Sequence, residues 1–479
     1  MIALTAGELA AVTGGALHAL DPAAVVSGPV VADSREVVPG ALFVALAGEH
    51  TDGHAYAPGA VAAGAVAVLA AHEVLDESGR PLPAVVVPDV VAALGALARE
   101  VLCRLREAAA EPGGTPLRVV AVTGSVGKTT TKDLLAQVLG ADGPTVAPVR
   151  SFNNEIGLPL TVLRADETTR HLVLEMGASG IGHISYLTDI APPDVAVVLV
   201  VGTAHVGEFG GLEATARAKS ELVTGLVPGG VAVLNADDPR VSAMASLAPD
   251  DVVTFGLSPA AQVRAVDVAL DGGRPRLTLV DGRRAPAREA KVALRLVGEH
   301  HVHNALAAAS AALVCGLDLD DVAAALSAAD ALSPHRMHVV DRADGVTVVD
   351  DSYNANPDSM RAALKALALL AGRERRSVAV LGEMLELGPS SREAHDAIGR
   401  LVVRLDVGLT VVVGAGAKPI ADGAAHEGSW GDEVVVVDDV DAAGDLLAQE
   451  LRAGDVVLVK SSYGAGLWRL GDLLTGAGG

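Results

Sequence analysis

Aromatic side chains make up only 2% of the 479 residues, and only two cysteines are present. So few rings exclude the stacking platforms on which single-stranded nucleic acids are held. Cys103 and Cys315 show neither metal-ligand spacing nor a disulfide framework. Basic residues are also scarce: 36 Lys and Arg stand against 59 Asp and Glu, a formal net charge of −23. A surface this acidic repels phosphate backbones, so no nucleic-acid partner is expected. Long apolar runs are missing too. The mean hydropathy is +0.41, yet no uninterrupted stretch is long enough to span a bilayer, and no membrane insertion is expected. The opening "MIALTAGELAAVTGG" lacks a basic start and a continuous apolar centre, which argues against a signal peptide. The expectation is a soluble cytoplasmic protein, taken to be a monomer.

What the chain does contain is valine-rich runs alternating with alanine-rich helical stretches. Strands are expected at 117–122, 171–175, 194–201, 231–235, 345–350, 377–381, 409–413 and 455–460. Near-continuous apolar strands between helices predict an α/β protein with buried parallel sheets. The length calls for several domains. "AAAEPGGTP" (108–116) reads as a linker, and "LSPHRM" (332–337) interrupts a helical region. Three domains are therefore expected, at 1–114, 115–333 and 334–479.

Ligands of open parallel sheets gather at the carboxyl ends of strands, and polar segments follow strand after strand here. "AVTGSVGKTT" (121–130) ends in Gly-Lys-Thr but is shorter than the common phosphate loop, since Val122 stands where a glycine five residues before Gly127 is required. Between a strand and a helix, the backbone of Gly124, Ser125, Val126, Gly127 and Thr130 can face a phosphate. Lys128 adds charge, and the Thr129 hydroxyl can reach Mg²⁺. Glu175 ends the next strand as a candidate Mg²⁺ ligand, or equally as a solvent-facing edge charge. His205 lies in the glycine-rich "GTAHVGEFG", where a capping or packing role is the plainer reading. Lys219, taken from its helix alone, reads as a solvated lysine. "NADDP" (235–239) offers amide and carboxylate groups to a base or ribose, or forms a turn. The three histidines of "GEHHVHN" hint at zinc, but H-x-H is weak evidence for it, and the segment reads better as a nucleotide-contacting helix start. "DDSYNANPDSM" (350–360) is too polar for a mere connector. A helix cap there accounts for Asn356-Pro357 but not for the rest.

These segments together resemble the Mur ligase family of ATP-dependent amide-forming enzymes, which carry the short T-G-x-x-G-K-[ST] loop found at 123–129. "ADSREVVPGALFVALAGEHTDGHAYA", "SFNNEIGLPLTVL", "VLEMGASGIGHI", "DDSYNANPDSM" and "VLGEMLELG" extend the resemblance over nearly the whole chain. Within the family it is to the members that join D-alanyl-D-alanine to UDP-N-acetylmuramoyl-tripeptide. The resemblance implies a uridine-nucleotide-binding α/β domain, a central ATPase-like parallel sheet and a Rossmann-like C-terminal domain. It also implies ATP and Mg²⁺, with Lys128 and Thr129 at the phosphates and Glu175, His205 and Lys219 around the metal. Lys219 would be carbamylated, which reverses its plain reading. Asn235, Asn304, Arg336 and Asp351 match nucleotide contacts. Ser34, Arg35, Asp52 and His54 match the uridine-nucleotide site, while Asn153, Asn154, Asn354 and Asn356 match substrate positions. His301 and the segment Lys460-Ser461-Ser462-Tyr463 depart from the family's G-x-H-N and K-G-S-R. A ligase of the same architecture for another amino acid, a kinase or ATPase built on the same loop, and a non-catalytic binding or scaffold protein are the competing readings.

Overall fold

The computed structural model describes every residue except 49–50, 150, 203–210, 430 and 477–479. Three sheets follow one another along the chain. The first has five strands in the order Ala16–His18, Ala84–Val86, Ala67–Ala70, Leu42–Val44, Val30–Val31, and all but the first pairing are parallel. Asp89 caps the helix Val90–Ala110 by accepting from Val91 and Ala92 N–H. One side of that helix buries Leu94, Leu97, Ala98, Val101 and Leu105, positions three and four apart. These side chains share one apolar cluster with Leu158, Val162, Leu187 and Ile190, so the helix joins the first sheet to the next layer. Gly95 allows the close approach: a Cβ there would lie 3.0 Å from Ile190 Cδ1.

The middle sheet has nine strands. Thr145–Val146, His171–Glu175, Arg118–Thr123, Val195–Val198, Val231–Asn235, Asp251–Gly256 and Val263–Asp271 are parallel neighbours in that order. Arg274–Asp281 and Arg288–Ala293 continue antiparallel. Arg118–Thr123 lies between strands that come later in the chain on either side, a topological switch point. Register pairs Glu175 with Val122 and Val198 with Thr123, which aligns their carboxyl ends. In the third sheet, Thr347–Asp350, Val456–Lys460, Ser377–Leu381, Leu409–Val413 and Val434–Val437 run parallel, with His338–Asp341 antiparallel at one edge.

All eight expected strands are present, four with unchanged ends. The run 194–201 is cut to Val195–Val198, although Ser125 N–H still reaches the Val200 carbonyl at 2.9 Å. The expected linker at 108 begins later, because the helix runs to Ala110.

Leu97 is fully buried where the first two layers meet. Leu97→Ala should lower stability by about 2–5 kcal/mol, read as a lower denaturant midpoint for the transition that includes this cluster.

Candidate active site

A cleft of about 1040 Å³ opens between the carboxyl ends of the middle sheet and the C-terminal sheet. Its floor is the loop Gly124–Thr130, which ends the central strand and starts the helix Lys128–Gly140. Ser125 holds the loop by accepting from Gly202 N–H at 2.9 Å. Gly127 has φ +84°, a conformation that favours glycine, and a Cβ there would lie 2.5 Å from Asn304 Oδ1. Backbone N–H groups at a helix start make an anion cradle. Lys128 Nζ donates to the Gly124 carbonyl at 2.8 Å. Burial pushes its pKa down, Glu175 pulls it up and Arg336 adds to the depression.

The side chains beyond the loop carry oxygen. Glu175, 1% exposed, accepts from Thr129 Oγ1 at 3.0 Å, Ser151 Oγ at 2.7 Å and Asn153 Nδ2 at 2.8 Å. It is no solvent-facing edge charge. Hydroxyl and carboxylate oxygens gathered in this way suit a hard divalent cation, so the residues present fit Mg²⁺. Lys219 overturns the plain reading of its helix, for it is 5% exposed and lines the same cleft. Among the described residues it has no hydrogen-bond or ion-pair partner. Burial, with Lys128 nearby, pushes its pKa down to about 7. Both effects disfavour the charged ammonium, which brings the neutral, nucleophilic amine within reach near neutral pH. His205 lies outside the described residues.

The expected nucleotide contacts all line the cleft, but several are already engaged. Asn235 donates to the Leu199 carbonyl at 2.8 Å and accepts from Asp237 N–H at 2.9 Å. Asn304 Nδ2 meets His301 Nδ1 at 3.2 Å. Asp351 accepts from Lys460 Nζ at 2.5 Å and from Met337 N–H at 3.1 Å. Lys460 is 1% exposed, and its ammonium also reaches the Asn354 carbonyl at 2.8 Å, so it secures this corner from within. Asn356 caps the helix Pro357–Ala371, and Asn354 Oδ1 accepts from Ala355 N–H. Arg336 is different. Its guanidinium lies 4.3 Å over the Tyr353 ring, and its buried Nε has no partner. That leaves a cation with a spare donor facing an anion cradle. His303 meets Asp237 at 3.0 Å, and burial lowers His300 to about 4. Among the described residues these histidines form no metal cluster.

Asn153 and Asn154 line the cleft, whereas Ser34, Arg35, Asp52 and His54 do not. Arg35 is exposed and paired with Asp33, and Ser34 opens the short turn Ser34–Glu36. His54 is buried: Nδ1 donates to Asp52 at 2.6 Å, and Nε2 accepts from Ala71 N–H at 2.9 Å. Both ring nitrogens are therefore occupied, and the Asp52–His54–His72 group has no free His54 nitrogen for a metal. Sequence reasoning missed Ser151 and the Lys460–Asp351 pair. Ser151 could have been found from its place two residues before the Asn153–Asn154 pair.

The family model described as Mur ligase middle domain matches residues 122–312. The models for the Mur ligase glutamate ligase domain and the Mur ligase family catalytic domain match 335–463 and 29–101. The chain is 48% identical to UDP-N-acetylmuramoyl-tripeptide–D-alanyl-D-alanine ligase of Mycobacterium tuberculosis, over 99% of this chain and 98% of that one. It is 33% identical to the Escherichia coli protein of that name, over 91% and 92%. Among solved structures, MurF from Acinetobacter baumannii superposes with a TM-score of 0.82 at 31% identity, covering 99% of both chains. MurF ligase from Thermotoga maritima in complex with ADP gives a TM-score of 0.75 at 28% identity, covering 94% and 98%.

Gly127→Ala should both strain the backbone and drive a methyl into Asn304. ATP affinity measured by calorimetry should fall about tenfold or more, with the far-UV circular dichroism unchanged.

Proposed function

Because the chain belongs to the Mur ligase family, we propose that it joins D-alanyl-D-alanine to UDP-N-acetylmuramoyl-tripeptide with conversion of ATP to ADP and phosphate, a step of peptidoglycan precursor synthesis. The observation that carries this reading is near-full-length identity to ligases of that name, with a cleft whose floor is a phosphate loop.

A carboxylate is a poor electrophile and must be activated before an amine can attack it. In the reading we favour, the tripeptide carboxylate takes the γ-phosphoryl group of ATP, giving an acyl phosphate and ADP. The dipeptide amine then adds to the acyl carbon, and the tetrahedral intermediate loses phosphate as the amine loses its proton. The chain's contribution is positioning and charge. Lys128 and Arg336 flank the place where two anions meet, and the loop amides hold the β- and γ-phosphates. Thr129, Glu175, His205 and Lys219 are the residues assigned to Mg²⁺, with Ser151 supporting Glu175. Bound there, Mg²⁺ would neutralise charge on the phosphoryl group. Lys219 enters this set by adding its neutral amine to CO₂, which forms an N–C bond, releases a proton and leaves a carbamate whose single negative charge is shared by two oxygens. Asn235, Asn304 and Asp351 shape the nucleotide end through the bonds described above. Asn153, Asn154, Asn354 and Asn356 are assigned to the peptide substrates.

We further assign residues 1–114 to the UDP-sugar, with Ser34, Arg35, Asp52 and His54 at or behind its site. Residues 115–333 take ATP, and 334–479 the dipeptide side. A cytoplasmic monomer is the state proposed; among the described residues no helix is long and apolar enough to cross a membrane.

The reading is tested by phosphate release with ATP, Mg²⁺ and UDP-N-acetylmuramoyl-tripeptide. Release should rise about tenfold or more when D-alanyl-D-alanine is added, in step with amide formation. Equal release without the dipeptide would make the protein an ATPase. Lys219→Ala should lower turnover by about two to three orders of magnitude, with partial recovery in acetate or formate. Carbon-13-labelled bicarbonate should give a carbamate resonance in the unaltered protein and none in Lys219→Ala.

A further inference from the structure

A second polar cluster is centred on the helix Lys128–Gly140, beyond the phosphate loop, and none of its members lines the cleft. Lys132 and Asp133 are buried side by side, their side chains 1% and 6% exposed and 2.5 Å apart. Lys132 Nζ also donates to the Pro148 carbonyl at 2.8 Å and to Ser333 Oγ at 3.3 Å. Asp133 accepts from Ser333 N–H at 3.0 Å. One turn further along the helix, the Gln137 amide brackets Asp330, donating to its carbonyl at 2.9 Å and accepting from its N–H at 3.0 Å. Three side chains of one helix thus grip the backbone or side chain of 330–333.

This gripped segment leads into Arg336. On the far side, His335 meets Asp350 at 2.6 Å, Met337 N–H donates to Asp351 at 3.1 Å, and Tyr353 N–H donates to the His335 carbonyl at 3.2 Å. His335 and Met337 both have positive φ, +58° and +49°, so the backbone around Arg336 is held in a conformation that side chains disfavour. Between the two anchors only Pro334 is ungripped, and its ring restricts the chain. Arg336 therefore projects from a short strap fixed at one end to the phosphate-loop helix and at the other to the C-terminal sheet. The bond from Lys132 to Pro148 extends the same hold toward Ser151 and Asn153, which support Glu175.

We propose that Lys132, Asp133 and Gln137 are positioning residues: they fix the 330–333 strap so that the Arg336 guanidinium faces the phosphate loop. A buried ion pair adds little net stability over apolar neighbours, but it imposes direction on the groups it bonds, which a leucine in its place would not do. The inference rests on the reading of Arg336 as a counter-charge in phosphoryl transfer.

Two variants test it in the full-length protein. Gln137→Ala removes the bracket around Asp330. Lys132→Met combined with Asp133→Asn removes both charges together and keeps an acceptor for Ser333. Hydrogen exchange at peptides spanning 330–337 should speed up at least several-fold in both, with peptides of the first domain unchanged. Turnover should fall by about ten- to a hundred-fold, with the KM for ATP changed less than threefold, and Lys132→Arg should retain most of it. Adding Arg336→Ala to either variant should cost much less than it costs the unaltered protein. Unchanged exchange at 330–337, unchanged turnover, or losses that simply multiply with Arg336→Ala would each overturn the proposal. Exchange does not depend on the acceptor, so it tests the strap even if dipeptide-dependent phosphate release is absent, a result that would instead sink the assigned reaction.

Discussion

Bringing a carboxylate to a triphosphate joins anions, and this chain carries a net charge of −23. The arrangement of the cleft follows from that constraint. Lys128, Lys219 and Arg336 all face it, and none has a salt bridge among the described residues. Elsewhere Arg35, Arg104, Arg288 and Arg404 are neutralised by neighbouring carboxylates. Charge left unpaired in a low-dielectric cleft is costly, and the cost shows in the lowered pKa of both lysines. The same charge is what an incoming polyanion requires.

Supports around these cations are polar, buried and internally satisfied. Asp351 is taken up by Lys460, Asn235 by the neighbouring strand end, and Asn356 by its own helix. Such groups hold the walls rather than the ligand. Three of the scarce aromatic rings also gather beside Arg336. Tyr353 carries Arg336 on one side and lies 5.5 Å from Tyr463, which stacks on Trp468 at 5.6 Å with planes 8° apart.

Much of this was legible in the sequence wherever the signal was local. The runs 171–175, 231–235, 377–381 and 409–413 are mostly apolar and almost wholly buried, and they became strands with those limits. Val263–Asp271 escaped notice because half of it faces solvent and charges interrupt its alternation. The strands of the first sheet are two to four residues long and leave almost no periodic trace. The phosphate loop could be read from spacing alone. Lys219 could not, since a helix pattern does not tell which face a distant strand end will cover. The Lys460–Asp351 contact joins residues 109 apart in sequence, brought together only by the pairing of their strands.

The helix Val90–Ala110 has a consequence for how the molecule comes apart. Its apolar side belongs to one continuous cluster with helices of the middle layer, whereas the C-terminal sheet packs on two clusters largely its own. Heating should therefore release the C-terminal third as one cooperative unit and dissolve the first two sheets together as another. The first sheet, though separate in topology, should show no melting transition of its own.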